Sequence, residues 1–250
     1  MGERLTVRAC ALTNAGKKRE NNEDSFYFDG TVSRMNTKEQ FIKDKNRDAA
    51  QIYAIFDGVG GEAHGEIASN TAAHCLSACV KRFEKSGGTV IDLVNTFINE
   101  ANEALVKKAQ EMNVSVIAST CVVACVFGEK LFVLNVGDSK GFYITADGVM
   151  SCITKEHIAS SGEEKGALTR CLGLPAENNR MTPYFSKAIE PKPGDTLVLC
   201  SDGLTDMIGS EAIGECVRQN SASDAICKKL CEMALSEGGN DNITIITLRF

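Results

Sequence analysis

No apolar run in this 250-residue chain approaches the roughly 20 residues that a membrane-spanning helix needs, so a membrane span is not expected. The opening residues MGERLTVRAC lack the hydrophobic stretch of an export signal. Met1-Gly2 followed by Thr6 meets only the short, weak pattern for N-myristoylation. Basic clusters are missing too, and the formal net charge is −6, which excludes the cationic stripe of a nucleic-acid surface. There are only 4 prolines, and no Pro/Ser linker, internal repeat or low-complexity tract. Length alone allows one large domain or two small ones. With nothing to divide it, the chain is expected to form a single domain over residues 1–250. At 43% hydrophobic and 24% charged residues, it can build a core without cross-links.

The 11 cysteines are odd in number, and no two are spaced C-x-x-C. Without an export signal they are read as reduced thiols, which places the protein in the cytoplasm. Cys75 and Cys79, and again Cys227 and Cys231, lie four apart on expected helices, where they serve as small buried hydrophobes rather than as a zinc site. No cysteine is followed six places later by arginine, so the thiol-based phosphate-binding loop is absent.

In EIASNTAAHCLSACVKRF, residues Ile67, Thr71, Cys75, Cys79 and Phe83 fall on one helical stripe, and Gly87-Gly88 ends the helix. A second helix, VIDLVNTFINEANEALVKKAQEM, turns Val94, Phe97, Ala101 and Leu105 inward, and the two are expected to pair antiparallel. STCVVACVFGEKLFVLNVGDS reads as a hairpin turning at Gly128-Glu129, continued by a further strand pair turning at Asp147-Gly148. A helix over about 209–236, broken near Ser221, precedes the last strand, NITIITLRF. Hairpin-linked strands with helices in blocks indicate an α+β fold with antiparallel sheets.

Five acidic sites flank strand ends beside Gly, Ser or Asn. The apolar run Tyr53–Phe56 stops at Asp57, which is followed by Gly58, Gly60 and Gly61. Leu197–Cys200 stops at Ser201-Asp202, and LFVLNV stops at Gly137-Asp138. Asp241 precedes the last strand, and Glu23-Asp24 precede an apolar pair. One such Asp-Gly is ordinarily a turn. Five carboxylates gathered at the rim of a sheet would repel one another unless a cation sat between them. All-oxygen ligands select magnesium or manganese over zinc.

The segments TNAGKKRENNEDS, FDGVGGEAHGEIAS, STCVVACVFGEKLFVLNVGDSK, ALTRCLG, PGDTLVLCSDGLTDMI and GGNDNIT occur in an order and spacing that resemble the metal-dependent serine/threonine protein phosphatases of the 2C type, from Thr13 to Phe250. The resemblance implies a four-layer αββα sandwich: two antiparallel sheets flanked by antiparallel helix pairs, with the metal centre at one end. It implies two Mn2+ or Mg2+ ions and a third, looser one. By position Asp57 bridges the first two, Gly58 lends its carbonyl, and Asp202 and Asp241 hold the first. Glu23 serves the second with Asp24 close by, and Asp138 helps hold the third. Arg19 takes the place of the arginine that grips the substrate phosphate, and Asn242 orients Asp241. Such ions lower the pKa of a shared water from ~15.7 towards neutrality, and Arg19 offers a permanently charged fork to the phosphoryl oxygens. The implied partners are phosphoprotein substrates and a serine/threonine kinase acting on the same targets, for a protein acting as a monomer.

This sequence departs from the family pattern at four places. Asn14 stands for the usual aspartate, Val59 for the histidine credited as general acid in the animal enzymes, and Lys140 for the arginine that ends the third motif. The flap between CITKEH and ALTRCLG is short, which predicts an open cleft. His64 is read as a surface residue, His157 as a loop residue and Asp206 as the N-terminal residue of a helix. Two other readings compete with the phosphatase: a silent regulatory module of the same fold, and a two-metal hydrolase of another phosphate ester.

Overall fold

The apolar runs pair edge to edge into two antiparallel sheets. The structure, a computed structural model, describes residues 6–43, 50–59, 64–162, 165–174 and 181–250. Gly60, Gly61 and the Met1-Gly2 pattern lie outside them.

In chain order the strands are β1 (Arg8–Asn14), β2 (Asp24–Phe28), β3 (Thr31–Val32), β4 (Glu39–Lys43), β5 (Gln51–Val59), β6 (Ala118–Ser119), β7 (Cys121–Phe127), β8 (Lys130–Val136), β9 (Lys140–Ile144), β10 (Met150–Cys152), β11 (Tyr184–Phe185), β12 (Thr196–Cys200) and β13 (Ile243–Arg249). The helices are α1 (Gly65–Ser86), α2 (Val90–Met112), α3 (Asp202–Thr205), α4 (Ser210–Gln219) and α5 (Ser223–Ser236). One sheet runs β10-β9-β12-β13-β1-β4. The other runs β11-β8-β7-β5-β2-β3, with β6 added to β5.

Three apolar clusters set the layers. Phe26, Phe28, Tyr53, Ile55 and Val122 of the second sheet face Tyr143, Leu197, Leu199, Ile246 and Leu248 of the first. Phe56, Val123 and Leu134 on the second sheet's outer face pack against α1 and α2 through Leu76, Phe97 and Leu105, with Phe56 and Phe97 edge to face at 6.0 Å. Phe142, Val198 and Ile245 pack against α4 and α5 through Ile213, Ile226 and Leu230. Burying each such side chain contributes about 1.5–3 kcal/mol, so the stacking αββα is fixed by three separate cores.

Local chemistry sets the element ends. Thr89 caps α2 by a reciprocal box with Asp92, and Asn113 closes it in the left-handed region. Gly87 closes α1. The predicted break in the third helical stretch falls between Gln219 and Ser223.

Four details correct the expectations. Strand β5 does not stop at Asp57; it continues to Val59 because Gly58 and Val59 pair with Ser119 and Ala118. The buried face of α1 is Ala68, Ala72, Ala73, Leu76, Cys79 and Val80, while Ile67, Cys75 and Phe83 only flank it. Alanines let the helix approach the sheet closely, which a count of large apolar residues overlooks. The strand pair β9-β10 does not extend the β7-β8 sheet; the chain crosses to the other sheet at Gly137–Ser139. Asp206 closes α3 rather than opening a helix, its amide donating to Asp202 O at 2.8 Å.

Register then decides where the acids go. In the first sheet, Asn14 pairs with Ile243 and Cys200 with Ile245. In the second, Asp24 pairs with Asp57 and Cys121 with Val136. Strand ends bearing Glu23, Asp57, Asp138, Asp202 and Asp241 therefore share one end of the sandwich.

Candidate metal centre

A cavity of about 430 Å³ opens at that end, lined by Arg19, Glu23, Asp57, Gly58, Val59, Asp138, Gly166, Ala167, Leu168, Asp202, Asp241 and Asn242. Acids from five chain segments meet there. Asp24 is set apart: its buried carboxylate accepts Ser201 Oγ at 2.8 Å and is also bonded by Thr244, so it lies in the layer behind the wall.

Polar side chains hold the acid-bearing ends in place. Thr120 N donates to Asp57 O at 2.8 Å, and Asp57 N donates to Thr120 Oγ1 at 3.2 Å. The same hydroxyl lies 2.7 Å from Ser139 Oγ, beside Asp138. Gly137, at φ +103°, presses on Thr120, where an added Cβ would sit 2.7 Å from Thr120 Cβ. His157 clamps Gly137 from the other side: its backbone N–H donates to Gly137 O at 3.0 Å, and its ring Nδ1 accepts Gly137 N–H at 3.1 Å. It is a buried positioning side chain. Burial, then the charges of Arg170 and Lys155, press its pKa down to about 4, so the ring is neutral and able to accept. Asn242 donates its amide N–H to Asp241 Oδ1 at 2.8 Å, while its side chain accepts Glu23 N–H and donates to Ala15 O and Asn21 O. It acts on Asp241 through its backbone and on the β1–β2 turn through its side chain.

The carboxyls are uncomfortable. Burial, then the charges of Asp24, Asp202 and Asp138, drive the Asp57 pKa well above the carboxylate range. Burial, then Asp138, raises Asp202 to about 6, and Asp57 and Asp202 share a hydrogen bond. Burial raises Asp138, with Lys140 opposing. Burial and then Glu66 raise Glu23, which meanwhile accepts Gly65 N–H at the N-terminus of α1. Arg19 offsets part of this, its Nη2 lying 2.6 Å from Asp241 Oδ2.

Among the described residues no group of three or more His, Cys, Asp or Glu side chains stands close enough together to hold a metal ion as placed. The donor set nevertheless fits hard divalent cations. It is all oxygen, its charges repel, and Glu66 Oε2 is buried with no hydrogen-bond partner among the described residues. Glu66 and Thr120 escaped the sequence reading. GEIAS marks Glu66 only as a first-turn acid, and the role of Thr120 depends on strand pairing.

The sequence departures have visible counterparts. Val59 lines the cavity, and His64 is the left-handed N-cap of α1 at φ +113°. Lys140 Nζ pairs with Glu156 at 2.9 Å and reaches Thr205 Oγ1 at 3.3 Å, tying the flap stem to α3. The flap, although short, still supplies one wall: Ile158 and Leu168 bridge across it, and Ala159 N–H and O both bond to Ala167 or Gly166.

Cys75, Cys79, Cys227 and Cys231 form no disulfide, and all but Cys75 are buried. No helix among the described residues is long and apolar enough to cross a membrane.

The sequence profile described as "Protein phosphatase 2C" matches residues 38–244. The chain is 27% identical to the serine/threonine protein phosphatase PstP of Mycobacterium tuberculosis, over 97% of this chain but only 45% of that protein's length. It is 28% identical to the serine/threonine phosphatase stp of Listeria innocua, over 94% of this chain and 92% of the other. It superposes with a TM-score of 0.75 on the catalytic domain of serine threonine protein phosphatase PstP in complex with two manganese ions, at 26% identity and 98% coverage of each chain.

Proposed function

Because the chain belongs to the protein phosphatase 2C family, we propose that it removes phosphate from phosphoserine and phosphothreonine side chains of proteins with manganese or magnesium as cofactor. One observation carries the site assignment: Glu23, Asp57, Asp138, Asp202 and Asp241 line one cleft together with Arg19.

In this reading Asp57, Asp202, Asp241, Glu23 and the carbonyl of Gly58 would hold two divalent ions, and Asp138 would help hold a third. When bound, the ions supply Lewis acidity that ionises water near neutral pH and offsets phosphoryl charge. The protein's own groups do the rest. Arg19, whose contact with Asp241 occupies Nη2, directs its planar fork at the phosphoryl oxygens, where bidentate contacts also neutralise charge that builds in the transition state. Asp24, Thr120, Asn242 and His157 touch no substrate; they fix the segments that carry the acids. The flap wall of Gly166, Ala167 and Leu168 narrows the cleft against water. The substrates are the products of a serine/threonine kinase, and the 11 cysteines suit a reducing, cytoplasmic setting.

The test is hydrolysis of p-nitrophenyl phosphate and of a phosphothreonine peptide, with manganese and then with chelator. Manganese-dependent release from both is expected. No metal-dependent release would leave a silent module of this fold, and preference for a phosphodiester would leave a different two-metal hydrolase.

A further inference from the structure

We propose that Lys17 and Lys18, the two residues immediately before Arg19, form a recognition rim that selects phosphopeptides with acidic residues beside the phosphorylated residue. This rests on the phosphatase reading above and narrows its substrate class.

The β1–β2 turn is held rigidly against the site. Gly16 N–H donates to Asn14 Oδ1 at 2.9 Å, and Lys17 N–H donates to Gly239 O at 2.7 Å. Asn242 Nδ2 donates to Ala15 O and to Asn21 O, both at 2.9 Å. Gly16 sits at φ +74° with its open side against Asp241, where a Cβ would lie 2.2 Å from the carbonyl oxygen. The turn therefore cannot drift from the strand end that bears Asp241.

Its side chains are exposed at Lys17, Lys18 and Arg19. Arg19 reaches down to Asp241 on the cavity wall. Lys17 and Lys18 precede it by two and one residues, within about 7 Å of backbone, in the same exposed turn. Lys38 crosses the same turn, its Nζ donating to Glu20 O at 2.7 Å. Of the acids here, Glu39 accepts Asn14 Nδ2 at 2.8 Å and Glu20 is exposed. Lys17, Lys18 and Lys38 against Glu20 and Glu39 leave a local positive excess of one charge in a chain of net charge −6.

With the ions bound, the acids of the cleft floor are offset, so carboxylates flanking a substrate's phosphate are sorted outside it, where Lys17 and Lys18 are the exposed cations next to Arg19. Ordering an exposed lysine costs side-chain entropy, so the contribution of the pair is modest; the hydrogen-bonded backbone fixes only where the two side chains start.

The experiment uses the manganese-loaded protein and phosphothreonine peptides of three kinds: neutral flanks, aspartates before the phosphothreonine, and aspartates after it. One acidic series should show kcat/KM above the neutral peptide by on the order of 3- to 10-fold at low ionic strength, the scale of two exposed ion pairs. The preference should shrink as salt is raised. The double variant Lys17→Ala/Lys18→Ala should lose it while turning over the neutral peptide and p-nitrophenyl phosphate normally, and Lys17→Arg/Lys18→Arg should keep it. Equal kcat/KM for acidic and neutral peptides, or a preference that survives the alanine pair, overturns the inference while leaving the phosphatase reading intact. No manganese-dependent turnover of the neutral peptide overturns both.

Discussion

The Asn242 side chain accepts the Glu23 amide N–H at 2.7 Å, joining segments 219 residues apart. Its other end donates to Ala15 O and Asn21 O. One uncharged amide thus closes the seam between the two sheets at the end where their acids meet.

Asn242→Ala strands three backbone partners in a largely closed setting, and each unsatisfied buried group costs about 1–3 kcal/mol. The melting temperature should fall by several degrees, and the midpoint for activation by manganese should rise about tenfold or more. A variant with unchanged manganese midpoint would show that the clasp does not govern the site.

Asp57→Asn removes a carboxyl that burial and Asp24, Asp202 and Asp138 hold far above its ordinary pKa. Without metal the variant should melt at or above the temperature of the unaltered protein, because repulsion is relieved. It should lose both the stabilisation by manganese and the manganese-dependent turnover, by 10²-fold or more. Differential scanning fluorimetry with and without manganese, beside an aryl phosphate assay, separates the two effects. Retained stabilisation by manganese would remove Asp57 from the ligand set.

Asp24 and Asp202 give the metal-free protein an inverted pH response. Burial pushes Asp24 up to about 8 and Asp202 up to about 6, whereas the unfolded chain releases these protons near pH 4. Between about pH 4 and 8 the native state therefore binds more protons than the unfolded state, and stability falls as pH rises. In chelator the melting temperature should be higher at pH 6 than at pH 8. In saturating manganese the order should reverse, since protons compete with the ions for the carboxylates. Melts that rise with pH in chelator would contradict the raised values.

Gly58→Ala should be more damaging than its size suggests. A Cβ there would lie 2.0 Å from Gly65 O, the first residue of α1. Gly58 N–H also donates to Glu23 O at 3.1 Å, and Glu23 accepts Gly65 N–H. The variant should either fail to accumulate as soluble protein or lose manganese-dependent turnover by 10²-fold or more. Normal manganese titration in a folded Gly58→Ala protein would mean that the helix start yields without cost.

Much of this was legible in the chain. Asp57, Asp138, Asp202 and Asp241 could be singled out because each interrupts or borders an apolar run, and a strand end is where a short carboxylate reaches the edge of a sheet. The helix pair and the hairpins followed from periodicity and from Gly128 and Gly148. The place of Asp24 did not follow, because neighbouring strand residues point to opposite faces; Glu23 reaches the cleft while Asp24 turns to Ser201 and Thr244. Strand β4 was missed since its burial merely alternates from half-buried to exposed at a sheet edge. The clamp of His157 on Gly137 depends on a flap folding back over 20 residues of chain, a contact that no local pattern encodes.

The two hairpin bends at Gly128-Glu129 and Asp147-Gly148 lie at the opposite pole of the sandwich from Glu23, Asp57, Asp138, Asp202 and Asp241. Gly128, at φ +61°, has no atom within 4 Å of where a Cβ would stand. That bend is therefore open ground: a fluorescent tag, an affinity handle or a whole guest domain spliced in at Gly128-Glu129 adds mass without reaching the chemistry.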